Sequence, residues 1–176
     1  MLLGPAGCGR SSLAAALAGL LPAEGRASVD GRRLTGTPAQ RRQAGLAVML
    51  PDIDAPRGVS VEEALGLAAQ GRPRPLLERL PLLAERRRLP AALLSGGERM
   101  VLRLGCALAR QPRALVLDSP TAGLAADVAD RVVEIIAEEA KRGCAVLWLD
   151  RDGAPTPSGG QALRVADGRI EPMATA

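Results

Sequence analysis

The stretch Gly4-Pro5-Ala6-Gly7-Cys8-Gly9-Arg10-Ser11-Ser12 constrains the fold of this chain more than any other. Met1-Leu2-Leu3 ahead of it reads as the end of a buried strand. Behind it Leu13, Ala16, Leu17 and Leu20 recur at helical spacing, which predicts a helix over roughly 11–21 that Pro22 stops. Where a strand runs through a glycine turn into a helix, backbone N–H groups of the turn converge on an anion at the helix N-terminus. Glycines are needed there because side chains obstruct the approach. The plain alternative is an ordinary glycine-rich turn, but the G-x-x-x-x-G spacing with a hydroxyl at Ser11 favours a phosphate cradle. The same alternation continues along the chain. Apolar runs at 45–50, 114–117 and 145–149 read as strands. Ser60-Val61-Glu62-Glu63 and Ser95-Gly96-Gly97-Glu98 have capping-box spacing and open helices to about Ala69 and Arg110. Val128, Val132, Ile135 and Ile136 mark another helix. Asp30-Gly31 predicts a hairpin turn between short strands. Strands alternating with helices imply a mostly parallel sheet with ligands at the strands' carboxyl ends.

Composition removes several chemistries. There is no His, Tyr or Phe, and Trp148 is the only aromatic residue, placed on an apolar run where it reads as core. His-dependent acid–base catalysis, His metal ligands and aromatic stacking platforms are therefore excluded. The net charge is +4, and all but Lys141 of the 23 basic residues are Arg. The charge is spread along the chain and forms no stripe for nucleic acid. Arg86-Arg87-Arg88 reads as a solvated face. Cys8, Cys106 and Cys144 lie far apart and fit neither a disulfide framework nor a zinc site, which suits a reducing cytosol. At 176 residues, 47% of them apolar, the chain can bury the core of one domain, 1–176. No apolar run approaches the length of a bilayer span.

Leu94-Ser95-Gly96-Gly97-Glu98 resembles the LSGGQ signature of ATP-binding cassette (ABC) ATPases. Ala114-Leu115-Val116-Leu117-Asp118 resembles the Walker B strand of that family, and Pro120-Thr121-Ala122-Gly123-Leu124 the loop that follows. With the phosphate loop, these motifs stand in family order across nearly the whole chain. The resemblance implies an α/β P-loop NTPase with a mostly parallel sheet flanked by helices, and a small helical subdomain with the signature helix inserted over roughly 55–110. It implies Mg-ATP as cofactor: Gly4, Pro5, Ala6, Gly7, Cys8, Gly9, Arg10, Ser11 and Ser12 around the phosphates, and Ser11 and Asp118 toward Mg²⁺. Ser95, Gly96, Gly97 and Glu98 would face the nucleotide of a second ABC subunit. Further partners are transmembrane permease subunits, which hold such chains at the cytoplasmic face of the cell membrane. Leu80-Pro81-Leu82-Leu83-Ala84-Glu85-Arg86, Gly123-Leu124-Ala125 and Ser60-Val61-Glu62-Glu63 resemble branched-chain amino-acid importer ATPases in particular, implying import of amino acids or related small solutes.

The chain departs from that pattern at its hydrolytic positions. The Walker A lysine is Arg10, the catalytic glutamate after Asp118 is Ser119, and the switch histidine is Arg151. Pro51 or Asp52 stands where a glutamine couples the site to transport. The family carries strands before the phosphate loop and an aromatic residue that stacks on adenine. Here Gly4 comes almost at once, so the domain is expected to be N-terminally truncated. Three readings follow from these departures: an ATP-binding subunit whose own site is impaired, a slow ATPase in which Arg151 stabilises γ-phosphate charge, and a non-catalytic interaction module or non-functional product.

Overall fold

The computed structural model describes residues 1–71, 74–154, 160–166 and 168–173. Strands β1 (Leu2–Gly4), β4 (Leu46–Met49), β5 (Ala114–Asp118), β6 (Ala145–Arg151) and β7 (Leu163–Ala166) run parallel, and β8 (Arg169–Pro172) returns antiparallel on β7. Their order across the sheet is β4-β5-β6-β1-β7-β8. A separate hairpin joins β2 (Ser28–Val29) to β3 (Arg32–Arg33). Asp30 and Gly31 in its turn both have positive φ, 48° and 75°, as the Asp-Gly pair predicts.

Register partners on neighbouring strands share a face of the sheet. Leu2 pairs with Leu149, and Asp118 also pairs with Leu149. Leu2, Val116 and Leu149 pack with Ala14 of helix α1 (Arg10–Ala18). Leu115, Leu117 and Trp148 occupy the opposite face, in one apolar core with residues of α6 (Gly96–Leu108) and α7 (Ala126–Lys141). Trp148 is core, 2% exposed.

Between β4 and β5 the described chain is helical: α3 (Val61–Ala68), α4 (Arg74–Arg79), α5 (Pro81–Glu85), a 3-10 turn at Ala91–Leu93, and then α6. Gly105 of α6 permits the close packing of this layer. A Cβ there would stand 2.9 Å from Leu65 Cδ2 and from Leu80 Cδ1. Arg79 fastens α4 to α7 through Glu139 at 2.6 Å, a buried carboxylate that Arg142 also reaches at 2.8 Å.

Several local expectations change. Helix α1 stops at Ala18, not near Leu21, because Gly19 takes the left-handed conformation (φ 80°) and its N–H closes on Ala15 and Ala16. Arg41 then donates to the carbonyls of Ala16 and Leu17, so Leu20 leaves the apolar stripe and is 49% exposed. Helix α2 (Pro38–Gln43) and the β7–β8 hairpin were not anticipated from the sequence.

Candidate functional site

The glycine stretch forms a loop between β1 and α1 at the carboxyl edge of the sheet. Gly4 is buried, and a Cβ on it would stand 2.8 Å from both Cys8 Sγ and the Val165 carbonyl oxygen. Cys8, half-buried, therefore closes the base of the loop, and its N–H turns back on Pro5 O at 3.3 Å. Gly7 and Gly9 have φ of 80° and 97°, and nothing lies within 4 Å of where their side chains would be. That open space is what a close backbone approach requires. Pro5, Ala6, Ser11 and Ser12 are exposed at the rim. Helix α1 begins with no side chain capping its first N–H groups and no acidic residue in its first turn. Its N-terminus is thus open to an anion.

Register brings the other edge residues to this helix. Asp118 shares the α1 face of the sheet with Leu149, and Arg151, paired with Gly4, lies two residues further on that face. Asp118 is 2% exposed and its Oδ2 has no hydrogen-bond partner. Among the described residues it is the only buried side-chain acceptor left so. Its Oδ1 accepts from the Ser119 hydroxyl at 3.3 Å. An orphan carboxylate oxygen fits a hard cation such as Mg²⁺, which takes oxygen ligands.

Arg10 behaves unlike the ammonium it replaces. Its Nη1 donates to the carbonyls of Gly4 and of Asp150, the latter at 2.8 Å, and its Nε is buried without a partner. The guanidinium thus bridges the ends of β1 and β6. Asp150 sends its side chain to the opposite face, where it accepts from Trp148 Nε1 at 3.0 Å and from the Arg151 N–H at 2.8 Å. Sequence reasoning missed Asp150, because no local pattern marks a residue whose partner, Arg10, is 140 positions away.

The Ser95–Glu98 stretch is built differently. Glu98 N–H donates to Ser95 Oγ at 3.2 Å, and Ser95 N–H donates to Glu98 Oε2 at 2.8 Å. The bond from Ser95 N–H holds the Glu98 carboxyl below the usual carboxylate range, aided by Arg86 at 3.2 Å. Ser95 and Gly96 are exposed at the start of α6. None of these hydrogen bonds reaches the loop of residues 4–9.

Beyond β4, Pro51 and Asp52 lead into a loop held on α6 by Arg103, which donates to Ile53 O at 3.1 Å and pairs with Asp54 at 2.6 Å. A cleft of about 960 Å³ lies here. Ile53 and Leu67 on it are 53% and 65% exposed.

Residues 1–122 match the family described as ABC transporter. The chain belongs to the ABC transporter family. It is 31% identical over 176 residues to the high-affinity branched-chain amino acid transport ATP-binding protein BraG of Pseudomonas aeruginosa, covering 94% of this chain and 73% of BraG. It is 36% identical over 185 residues to the Fe(3+) ions import ATP-binding protein FbpC of Streptomyces coelicolor, covering 99% of this chain and 53% of FbpC. The chain spans about half the length of its FbpC relatives. A solved ATP-binding subunit of an ABC transporter superposes with a TM-score of 0.82 at 25% identity, over 96% of this chain and 75% of that one. An ATP-binding cassette solved as a dimer with ADP and phosphate superposes at 0.83 over 99% of this chain and 85% of that one; at 17% identity it shows the fold alone. The fold is the α/β P-loop type of ABC ATPases. The relatives' descriptions span several transport types, among them Fe(3+) import, hemin import and branched-chain amino acid transport.

Proposed function

We propose that this ABC chain is the ATP-binding subunit of a transporter that imports amino acids or related small solutes, with a hydrolytic site of its own that is impaired. The observation that carries the reading is the meeting, at one sheet edge, of an uncapped α1 N-terminus with the orphan oxygen of Asp118. One is suited to an anion and the other to a cation, as Mg-ATP requires. The backbone of residues 4–12 holds the phosphates, and Ser11 and Asp118 hold Mg²⁺, which neutralises phosphate charge. Ser119 supplies no general base near neutral pH, so the bound nucleotide turns over little. Ser95, Gly96, Gly97 and Glu98 complete the nucleotide site of a second ABC subunit, because phosphoryl transfer is chiefly positioning and charge stabilisation. Residues 55–110 form the helical subdomain.

The cleft beside Ile53 and Leu67 receives the permease, since the loop after β4 is where the family couples its site to transport. No helix among the described residues is long and apolar enough to cross a membrane, so the membrane is reached through that permease. FbpC, one of the relatives named above, is an import ATP-binding protein by description, which supports import.

Calorimetry on the purified chain tests the loop. Mg-ATP binds the natural chain, and Gly9→Val abolishes binding, because a β-branched residue at φ 97° is strained and its side chain enters the cradle. A melting curve establishes that the variant is folded. Unchanged affinity in Gly9→Val removes the phosphate-loop assignment.

A further inference from the structure

Ser119 stands where a catalytic carboxylate would follow the Walker B aspartate, but its contacts describe a different task. Its backbone is held at φ 51°, in the left-handed region, by its N–H on Leu149 O at 2.8 Å and by the Ala122 N–H on its own carbonyl at 3.1 Å. In that conformation its hydroxyl donates to Asp118 Oδ1. Only Oδ2 of that buried carboxylate is left unpartnered.

We propose that Ser119 is a positioning residue for Asp118: its hydroxyl pins Oδ1 so that Oδ2 is presented to the divalent cation of a bound nucleotide. The inference rests on the reading that the loop of residues 4–12 binds a metal–nucleotide complex. A ligand carboxylate whose second oxygen is hydrogen-bonded is already oriented before the metal arrives, and loss of such a partner typically weakens metal binding by about 10- to 100-fold. A glutamate at this position has no proton to donate and adds a second negative charge beside Asp118. Serine therefore does more than delete a base. It shifts the site from activating water toward retaining metal and nucleotide.

The test is a titration of Mn²⁺ into the full chain with the non-hydrolysable β,γ-imido analogue of ATP, free Mn²⁺ being read by electron paramagnetic resonance. Ser119→Gly removes the hydroxyl and tolerates φ 51° without strain. Ser119→Ala removes the hydroxyl and retains the strain. Both should raise the Mn²⁺ midpoint by about tenfold, with affinity for the analogue in excess chelator unchanged. A natural Mn²⁺ midpoint in Ser119→Gly overturns the inference and leaves the nucleotide site standing. An equal loss of analogue affinity with and without Mn²⁺ also overturns it, since the hydroxyl then serves the loop and not the metal. If the natural chain binds the analogue with no dependence on Mn²⁺, the metal assignment of Asp118 falls and this inference falls with it.

Discussion

Helix α1 and helix α6 both begin at glycine-rich turns, yet their first turns are built in opposite ways. The N-terminus of α6 is closed by its own side chains, Ser95 and Glu98, in a reciprocal capping box. The chain uses the same device at Thr37–Gln40 and Ser60–Glu63. Helix α1 has Gly9 at its N-cap, no capping side chain, no acid in the first turn, and Arg10 where a cation opposes the helix dipole. A serine cap in place of Gly9 would contribute only about a few tenths of a kcal/mol there. On the proposed function, what is forgone in stability is regained when the nucleotide's phosphates bind, which would make α1 a start that needs a ligand and α6 one that does not. The difference teaches which motif can survive damage. The α6 start keeps its shape from local contacts, whereas the α1 site depends on Arg10 at the helix start meeting Asp118 and Ser119 from the end of β5 and Arg151 from the end of β6.

The strongest way to break this contrast is to damage each start in the assembled transporter. Ser95→Arg removes the cap and crowds the surface that the proposed function sets against a partner's γ-phosphate, and ATPase activity should be abolished. Arg10→Ala should lower turnover by less than about tenfold, because its charge is already spent on the carbonyls of Gly4 and Asp150. Its cost should appear in stability. A hydrogen bond from a charged donor contributes about 1.5–3 kcal/mol, and in a domain of this size about 1 kcal/mol lowers the melting temperature by 2–4 °C. A drop of about 5 °C is expected. If Arg10→Ala damages turnover more than Ser95→Arg, the chain's own site carries hydrolysis and the asymmetric reading is wrong.

The same contrast accounts for what was legible in the sequence. Local devices were readable: the Ser-x-x-Glu boxes opening α3 and α6, the Asp30-Gly31 turn, and the short apolar runs of β4 and β5. The loop at 4–9 is placed by its spacing, and Asp118 by closing an apolar run that resembles the Walker B strand. Helix α2 carried a readable signal in Thr37-Pro38-Ala39-Gln40 but has no buried face to give it a period. Strand β8 is exposed at every residue, so it shows no alternation. Non-local features were not readable. Arg41 closes the end of α1 from 24 residues away, and Arg10 finds Asp150 only through the β1–β6 pairing.

Thiol labelling sharpens the comparison with a smaller effect. Burial pushes the Cys106 and Cys144 thiols up to about 11, with Glu139 adding to the effect at Cys144. At pH 8 both are neutral and poorly nucleophilic. Iodoacetamide should therefore modify Cys8 first, and Mg-ATP should slow that reaction several-fold without changing Cys106 or Cys144. Mass spectrometry of the adducts reads this directly, and equal Cys8 labelling with and without nucleotide would remove it from the loop site. These buried thiols also stabilise the fold below pH 9, where the unfolded thiols are neutral too, and that contribution is lost as pH rises through 11.

The smallest expected effect lies in the α6 cap itself. Glu98→Gln should keep the box, since Gln40 shows in α2 that an amide oxygen can accept the N-cap N–H, here from Thr37 at 2.8 Å. It loses the negative charge at the helix N-terminus and the ion pair with Arg86, whose side chain is 52% exposed and screened by salt. A loss of about 0.3–1 kcal/mol at pH 7 is expected, with turnover in the transporter lowered by less than about tenfold, since Ser95 and the backbone of Gly96 and Gly97 remain to meet the partner's nucleotide. Because the folded carboxyl titrates below its unfolded value of 4.5, its contribution is present above that pH and lost as the pH falls through the folded value. The melting difference between Glu98→Gln and the natural chain should therefore diminish as the pH falls below 4.5 and shrink in high salt at pH 7. A difference that persists in acid assigns the loss to the shape of the cap and not to its charge. A fall in turnover of more than about tenfold makes the Glu98 carboxylate, and not Ser95 with the backbone of Gly96 and Gly97, the main contact with the partner's nucleotide, and α6 would then depend on a ligand as α1 does.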